Sequence, residues 1–526
     1  MGSESVPSTG FWQKQKETEM KTSQTHPLQI DTVKAGNGEI GLTFCPGKKQ
    51  ENSYSGTWNR DLNADLEEIS KWGAVALVTL IEDHEFIDLS VPDLEDKAEG
   101  LGLEWYHLPI KDVSIPRGDF RDAWAYSGHR LRSLLRAGKK IVIHCKGGLG
   151  RTGIIAGRLM IELGQVPIEV IDAIRMARPG SIETSEQEVY VRQISRRTVS
   201  DEDNDRILGS LLGGAVGDAF GYEVEFDKLL DIQSRFGTDG IQEAVFHDGK
   251  FIVSDDTQMT MFTLEGIQRS RLDDPEDINE QIRLAYLDWL STQLPALEGW
   301  EATGLLYKVG SLRHSRAPGG TCLSALKAGG WGTPDKHINN SKGCGGVMRV
   351  APIGFVHQWS PEQAFDIAAN AAAITHGHPS GFLSAAAMAA IVRMLLDGTD
   401  LPAATEQTLS MLSVRPDHQE TTDAMMAALK AWQTGSSDHI AKIGSLGEGW
   451  IGEEALAIAL YAALAGNSFS EVLAIGANHD GDSDSTASIA GQLYGTWKGL
   501  SDLPNAWVRR LDVFDPMMAP IKNNLE

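Results

Sequence analysis

Cysteine is scarce in this sequence, with four residues in 526: Cys45, Cys145, Cys322 and Cys344. They form no CxxC pair and no framework of the kind that staples small secreted domains, which disfavours a disulfide-dependent fold. We therefore expect a protein of the reducing cytoplasm.

Long apolar runs are also missing. The N-terminal stretch has no hydrophobic segment of the kind that a signal peptide needs. The longest apolar runs, such as "ALAIALYAALAG" (455–466), are too short to span a bilayer. We expect a soluble protein with no membrane partner.

Positively charged residues are few relative to acidic ones. The sequence has 47 Lys and Arg residues and 72 Asp and Glu residues, which gives a formal net charge of -25. Proteins that bind the nucleic-acid backbone neutralise phosphates with Lys and Arg. No nucleic-acid backbone binding is therefore expected. Clustered acidic residues instead suit the binding of divalent cations.

The chain has two regions that differ in their predicted secondary structure, and its length allows more than one hydrophobic core. Up to about residue 197, strand-like pieces such as "VALVTLI" (75–81) alternate with helix-like pieces such as "NADLEEISKWG" (63–73), which predicts an α/β sheet. After the charged segment "SRRTVSDEDNDR" (195–206), Ala-rich amphipathic segments predict an all-α domain. We expect a disordered segment at 1–28, an α/β domain at 29–198, a linker at 199–205 and an all-α domain at 206–526.

The stretch "HCKGGLGRTG" (144–153) follows a predicted strand, "IVIHC", and leads into a predicted helix from Thr152. Backbone N–H groups between strand and helix can point inward at the positive end of the helix dipole, which suits an anion. A thiol in that field reacts as a thiolate, so Cys145 is the candidate nucleophile for phosphoryl transfer.

The residues around Cys145 suit the same chemistry. The guanidinium of Arg151 can grip two phosphate oxygens, and Thr152 can donate a hydrogen bond to the departing sulfur. The loop is not a nucleotide P-loop, because the GxxxxGK[ST] pattern is absent. The predicted phosphate-binding residues are Lys146, Gly147, Gly148, Leu149, Gly150 and Arg151.

This stretch resembles the HCxxGxGR[ST] signature of the cysteine-dependent phosphatases. With "GLTFCPGKK" (41–49) and "LPIKDVSIP" (108–116), the region is similar to the dual-specificity subgroup that includes kinase-associated phosphatases. The resemblance implies a general acid on a loop before the thiol, and Asp112 matches that position, with Asp119 and Asp122 as rivals. His144 is expected to orient the loop.

Two acidic runs stand out in the second half: "SDDTQM" (254–259) and "HDGDSDSTASIAG" (479–491). Adjacent like charges repel, so a cation would explain them if they are buried. Oxygen ligands suit Mg²⁺, or Mn²⁺ in its place. Taken alone, each run also fits a solvated turn or a helix cap.

Other segments accompany the acidic runs. The first, "ILGSLLGGAVGDAFGYEVEF" (207–226), has small residues spaced for close helix packing and carries Asp218 and Glu225. Together the segments resemble the ADP-ribosylglycohydrolase family. The further motifs that carry the resemblance are "RAPGGTCLSAL" (316–326), "GCGGVMRVAPIG" (343–354) and "THGHP" (375–379).

The resemblance implies two Mg²⁺ ions, with Mn²⁺ possible, and places Glu225 near the scissile ribose. It implies that the metal ligands are Ser254, Asp255, Asp256, Asp482, Asp484 and Ser485. The ADP-ribose contacts are expected from Gly343, Cys344, Gly345, Gly346 and His376. A structural role for His376 and a packing role for Cys344 are the alternatives.

The combined prediction is a bifunctional hydrolase. It would remove ADP-ribose from an ADP-ribosylated protein or small molecule and hydrolyse a phosphorylated substrate through Cys145. One alternative makes the phosphatase domain a phosphate-binding targeting module, and another makes the second domain an ADP-ribose-binding antagonist that never cleaves. The acceptor bond stays open between arginine, serine, a nucleic-acid end and a small molecule.

Overall fold

The computed structural model describes residues 20–53, 56–118, 120–194, 201–293, 300–435 and 438–518. The chain divides into two compact units, Met1–Arg197 and Thr198–Glu526. Residues 1–19 of the predicted disordered segment lie outside the described residues. The remainder of that segment packs on the first unit, since Leu28 is buried and the His26 carbonyl accepts a hydrogen bond from Arg60.

The first unit is built on a five-stranded sheet with the order β1-β2-β7-β5-β6, in which β1 is antiparallel to β2 and the other pairs are parallel. This confirms the predicted α/β fold. Its strands are β1 (Asp31–Ala35), β2 (Gly38–Phe44), β5 (Ala74–Thr79), β6 (Glu104–His107) and β7 (Lys140–Cys145), and β3 (Lys49–Ser53) and β4 (Gly56–Asn59) form a separate hairpin. Its helices are α1 (Leu62–Lys71), α2 (Asp83–Asp88), α3 (Leu94–Gly100), α4 (Phe120–Arg136), α5 (Gly150–Glu162), α6 (Pro167–Ala177) and α7 (Ser185–Gln193).

The central strand β7 explains where the thiol loop lies. Its residues Ile141, Val142 and Ile143 are fully buried, as a strand covered on both faces requires. In the register of the sheet, Cys145 lies beside Phe44 at the end of β2. Because the carboxyl ends of parallel strands meet at one edge, the sheet places the loop where several strand ends converge.

The second unit is helical, and its described residues contain no strand longer than an isolated bridge. This confirms the predicted all-α domain. Its helices are α8 (Asp201–Tyr222), α9 (Leu229–Phe236), α10 (Asp255–Arg269), α11 (Pro275–Gln293), α12 (Gly320–Lys327), α13 (Pro361–Ala373), α14 (Pro379–Leu396), α15 (Leu401–Leu412), α16 (Gln419–Gln433), α17 (His439–Gly444), α18 (Gly452–Ala465), α19 (Phe469–Ala477), α20 (Ser483–Lys498) and α21 (Asn505–Val508). Helix α8 begins at Asp201, inside the predicted linker 199–205. Acidic residues suit the positive end of a helix, so this segment favours a helix start.

Helices α8 and α20 pack antiparallel at very short range. A Cβ added at Gly213 would lie 2.5 Å from the Gly491 carbonyl oxygen, and one added at Gly217 would lie 2.2 Å from the Ala487 carbonyl oxygen. Glycine is therefore required at these positions. This packing brings the C-terminal end of α8, with Asp218, to the N-terminal end of α20, with Asp484.

Helix α14 is the longest apolar helix of the described residues, and its 18 residues are enough to cross a membrane by length and composition. The expectation that every apolar run is too short is wrong in this case. However, 94% of the helix is buried inside the unit. That burial is typical of a central core helix.

Candidate active sites

The thiol loop joins β7 to α5, and the helix begins at Gly150, two residues before the predicted start. Cys145 is buried, and its Sγ accepts a hydrogen bond of 3.2 Å from the N–H of Gly148. Gly148 has a φ of +74°, and an added Cβ would lie 2.3 Å from the Thr43 carbonyl oxygen. Only glycine suits this position, which lets the loop fold over the sulfur.

Two cations hold the loop from outside. Arg178 donates from Nε to the Gly148 carbonyl at 2.6 Å, and Lys48 donates from Nζ to the Lys146 carbonyl at 3.4 Å. Because the carbonyls point toward these cations, the opposite sides of the peptide units are available to an anion. Burial lowers the pKa of Lys48 to about 8. The sequence analysis missed both residues, although Lys48 lies in the quoted "GLTFCPGKK".

Arg151 is a buried residue held by a carboxylate that sequence analysis did not identify. Its guanidinium donates to both oxygens of Glu85, at 2.5 and 3.1 Å. Burial acts to raise the pKa of Glu85, but the hydrogen bonds from Arg151 outweigh it and the pKa lies below its ordinary value. The Nε of Arg151 and the hydroxyl of Thr152 are buried without a hydrogen bond partner, so both are available to a ligand.

Asp112 lies beside Arg151, with 2.9 Å between its Oδ1 and the Arg151 Nη2. Its side chain is 53% exposed, so an incoming substrate can reach it. Its rival Asp119 lies outside the described residues, and Asp122 falls within α4. The structure thus brings Asp112 to the phosphate loop, as its predicted role requires.

His144 reaches the neighbouring strand β5 with its ring. Its Nε2 lies 2.8 Å from the Thr79 hydroxyl, which also accepts a hydrogen bond from the Trp105 indole. Burial lowers the pKa of His144 to about 3, so the ring is neutral at physiological pH. This arrangement supports an orienting role.

The helical unit contains a cavity of about 470 Å³ that gathers most of the predicted hydrolase residues. Those lining it are Glu225, Asp255, Asp256, Gly343, Cys344, Gly345, His376, Asp482, Asp484 and Ser485. Ser254 and Gly346 lie behind it. The Ser254 hydroxyl accepts the Asp256 N–H at 3.2 Å and caps α10, and Gly346 packs against the Gly381 carbonyl.

Three carboxylates lie close together in the cavity. One oxygen each from Glu225, Asp482 and Asp484 lies within 4.8 Å of the others. The sequence analysis assigned Glu225 to catalysis and the two aspartates to metal binding, whereas the structure places all three together. Their positions at the end of α8 and the start of α20 follow from the glycine packing of these helices.

The buried carboxylates of the cavity neighbour one another, and Glu225 and Asp255 have raised pKa values. Burial, and then neighbouring carboxylates, raise the pKa of Glu225 to about 9 and that of Asp255 to about 8. The described residues lining the cavity include no Lys or Arg. Glu225 Oε2 and Asp256 Oδ2 are buried without a hydrogen bond partner. Divalent cations fit these oxygens.

Asp218 organises the first acidic run. Its carboxylate accepts the Ser254 N–H at 2.9 Å, the Thr257 N–H at 3.0 Å and the Thr257 hydroxyl at 2.5 Å. Burial raises its pKa to about 6. The sequence analysis noted Asp218 but gave it no role, because the start of α10 is distant in sequence.

The cavity has one lining segment that was not predicted and one hydrogen bond that bears on the two alternatives for Cys344. Gly319, Gly320 and Thr321, at the N-terminus of α12, line it, and the Gly319 N–H donates to Asp255 at 3.2 Å. The signal was present in the motif "RAPGGTCLSAL". The Cys344 thiol donates to Asp482 at 2.7 Å, so it belongs to the cavity rather than to the packing alone.

Comparisons with known proteins agree with this division. The ADP-ribosylglycohydrolase family model matches residues 199–524. A second model, described as a DSP-PTPase phosphatase of polymorphic toxin systems, matches residues 55–165.

Individual relatives match one unit each. Cyclin-dependent kinase inhibitor 3 of Rattus norvegicus is 30% identical over 157 residues, covering 29% of this chain and 70% of its own. The ADP-ribosyl-[dinitrogen reductase] glycohydrolase of Rhodospirillum rubrum is 24% identical over 315 residues, covering 59% of this chain and 91% of its own. The ADP-ribosylarginine hydrolase Tri1 of Pseudomonas putida is 24% identical, covering 58% of this chain and 74% of its own.

Proposed function

We propose that both units of this chain are active and together make one bifunctional hydrolase. The chain belongs to the ADP-ribosylglycohydrolase family, and its N-terminal unit belongs to the dual-specificity phosphatases. The second unit would remove ADP-ribose from an ADP-ribosylated substrate with the help of divalent cations. The first would hydrolyse phosphomonoesters through Cys145. Four cysteines that are free in the structure suit a cytoplasmic protein.

The convergence of Glu225, Asp482 and Asp484 in one cavity carries the hydrolase proposal. The cavity volume of about 470 Å³ is in the range of small-molecule sites. The proposed ligands of two Mg²⁺ ions are Ser254, Asp255, Asp256, Asp482, Asp484 and Ser485, with Ser254 using the lone pair that does not cap α10. When bound, magnesium would polarise the ribose hydroxyls and a water molecule.

The protein's own groups would do the remaining work of the hydrolase. The Gly343–Gly346 turn and His376 would bind the ligand, and the crowded carboxylates would stabilise positive charge on the ribose as the glycosidic bond breaks. Glu225, whose Oε2 is buried without a hydrogen-bond partner, would exchange a proton at the scissile ribose.

We further propose arginine as the acceptor. One relative is an ADP-ribosylarginine hydrolase. The cavity is lined by carboxylates and, at its rim, by the exposed rings of Phe226 and Trp450. Carboxylates and aromatic faces both attract a guanidinium.

The phosphatase proposal is carried by Cys145 beneath a loop whose free donors, Arg151 Nε and the Thr152 hydroxyl, are buried. Cys145 Sγ would attack phosphorus, forming a P–S bond as the P–O bond breaks, and Asp112 would protonate the leaving oxygen. Thr152 would stabilise the sulfur when water releases the phosphate.

The experiment is incubation of the intact protein with ADP-ribosylated arginine, ADP-ribosylated serine and an aryl phosphate, with Mg²⁺ or with EDTA, and detection of products by mass spectrometry. We expect release of ADP-ribose from arginine only with Mg²⁺, reduced at least about 100-fold in Asp484→Asn. Binding of ADP-ribose without any cleavage would instead support the antagonist. Cleavage of the serine adduct alone would overturn the arginine assignment.

A further inference from the structure

Arg349 is a fully buried cation behind the hydrolase cavity. Its guanidinium lies 4.2 Å from the centre of the Tyr286 ring and donates to the Thr375 hydroxyl at 2.7 Å. In the described part of the chain it forms no ion pair with a carboxylate. Burying a cation without a carboxylate is costly, so its hydrogen bonds call for an explanation.

Arg349 fixes which groups donate and which accept in a short series of hydrogen bonds that runs through Thr375 to His376. An arginine only donates, so the Thr375 oxygen accepts from it. The Thr375 proton then has two acceptors, His376 Nδ1 at 2.8 Å and the Ala372 carbonyl at 3.4 Å. The acceptor at 2.8 Å is favoured, because 3.4 Å is long for a hydrogen bond between a hydroxyl and an oxygen. His376 therefore accepts at Nδ1 and carries its proton at Nε2.

The Nε2 of His376 lies at the glycine turn of the cavity. It is 3.2 Å from the position that a Cβ would take at Gly343, and 3.2 Å from the corresponding position at Gly345. Nε2 forms no hydrogen bond to any residue in the described ranges, and His376 lines the cavity. Burial, and then Arg349, lower the pKa of His376 to about 3, so the ring is a neutral donor.

We propose that Arg349 and Thr375 are positioning residues that hold His376 as the Nε2–H tautomer, so that it donates a hydrogen bond to the diphosphate of ADP-ribose bound at the Gly343–Gly346 turn. The inference rests on the proposed ADP-ribose site. A free imidazole would exchange between two tautomers, and only one of them donates at Nε2. The hydrogen bonds from Arg349 through Thr375 select the Nε2–H tautomer of His376 before the ligand binds.

The direct test is NMR of the full chain with ¹⁵N-labelled histidine, in which His376 is assigned by its loss in His376→Asn. We expect a protonated Nε2 and an unprotonated Nδ1 in the native protein. Thr375→Val, which keeps the shape and removes the hydroxyl, should mix the tautomers, and Thr375→Ser should restore the native pattern. A protonated Nδ1 in the native protein overturns the proposal, whether or not the valine variant folds.

Binding of free ADP-ribose in the presence of Mg²⁺ gives the second readout, by calorimetry. Because only the fraction of molecules with the Nε2–H tautomer donates to the ligand, mixing of the tautomers in Thr375→Val should weaken binding about two- to fivefold, and Thr375→Ser should restore the native affinity. Equal affinity of native protein and Thr375→Val overturns the proposal. Turnover is scored separately: absence of cleavage with the expected tautomer and affinities would refute the hydrolase, not the positioning role.

Discussion

The two candidate sites differ in whether their buried charges have partners of opposite sign. In the phosphatase loop the buried cation Arg151 is matched by Glu85, and Arg178 is matched by Asp31 at 2.6 Å, so the charge of each arginine is balanced within the unit. In the hydrolase cavity the carboxylates have neighbouring carboxylates and no lining Lys or Arg in the described ranges. The donors of the first site suit an anion, whereas the crowded carboxylates of the second suit divalent cations.

The sites also differ in how their residues are assembled. The phosphatase loop is one contiguous segment at the end of a strand. The hydrolase cavity joins the turn after α8 and the start of α10 to the start of α20, which lies more than 200 positions later in the chain. A single substitution should therefore act on one site alone.

The largest effect is expected for Cys145→Ser. Removing the nucleophile should lower aryl phosphate hydrolysis by about 10⁴-fold or more, because the covalent step is lost. Release of ADP-ribose, measured in the same preparation, should be unchanged. A parallel loss of both activities would mean that the two sites are not independent, and retained phosphatase activity would exclude Cys145 as the nucleophile.

A smaller effect is expected for Asp112→Asn. Loss of the general acid should lower turnover by about 10²- to 10³-fold for an alkyl phosphate, whose leaving group needs a proton. For a nitrophenyl phosphate the loss should be below about tenfold, since that leaving group departs unprotonated. Asp122→Asn is the matched control. If Asp122→Asn shows this dependence on the leaving group and Asp112→Asn does not, the general acid has been misassigned.

The smallest effect concerns stability, and it should have opposite signs in the two units. The pKa of Glu85 is lowered on folding, so its contribution is present above its unfolded pKa and is lost as the pH falls through the folded value. The pKa values of Asp255 and Glu225 are raised to about 8 and about 9. Their folded forms keep protons that the unfolded chain releases near pH 4, so stability falls as the pH rises toward 9.

Calorimetric unfolding of the intact chain in EDTA should show this difference as shifts of several degrees. The first unit should lose stability toward acid pH and the second toward alkaline pH, with Mg²⁺ restoring the second. Glu85→Gln assigns the first transition and Asp484→Asn the second. A second unit that becomes more stable from pH 5 to 9 in EDTA would contradict the raised pKa values.

Much of the architecture could be predicted from sequence because it depends on local patterns. Strand β5 begins one residue before the predicted "VALVTLI" and overlaps it, and helix α1 nearly coincides with the predicted 63–73. The start of α5 was placed two residues late, because the loop glycines gave no sign that the helix includes Gly150. The phosphatase loop was predictable for the same reason, since its groups are consecutive in the chain.

Sequence by itself determined the features that a contiguous segment can encode. These are the α/β and all-α patterns of the two regions, the thiol loop and the pair of acidic runs. Only the tertiary structure decided which distant groups meet. It paired Arg151 with Glu85, joined Glu225 to Asp482 and Asp484, and placed Arg349 behind His376. The physical reason is that hydrogen bonds and buried charges depend on distances of a few ångströms, which are set by long-range packing such as that of the α8 glycines on α20.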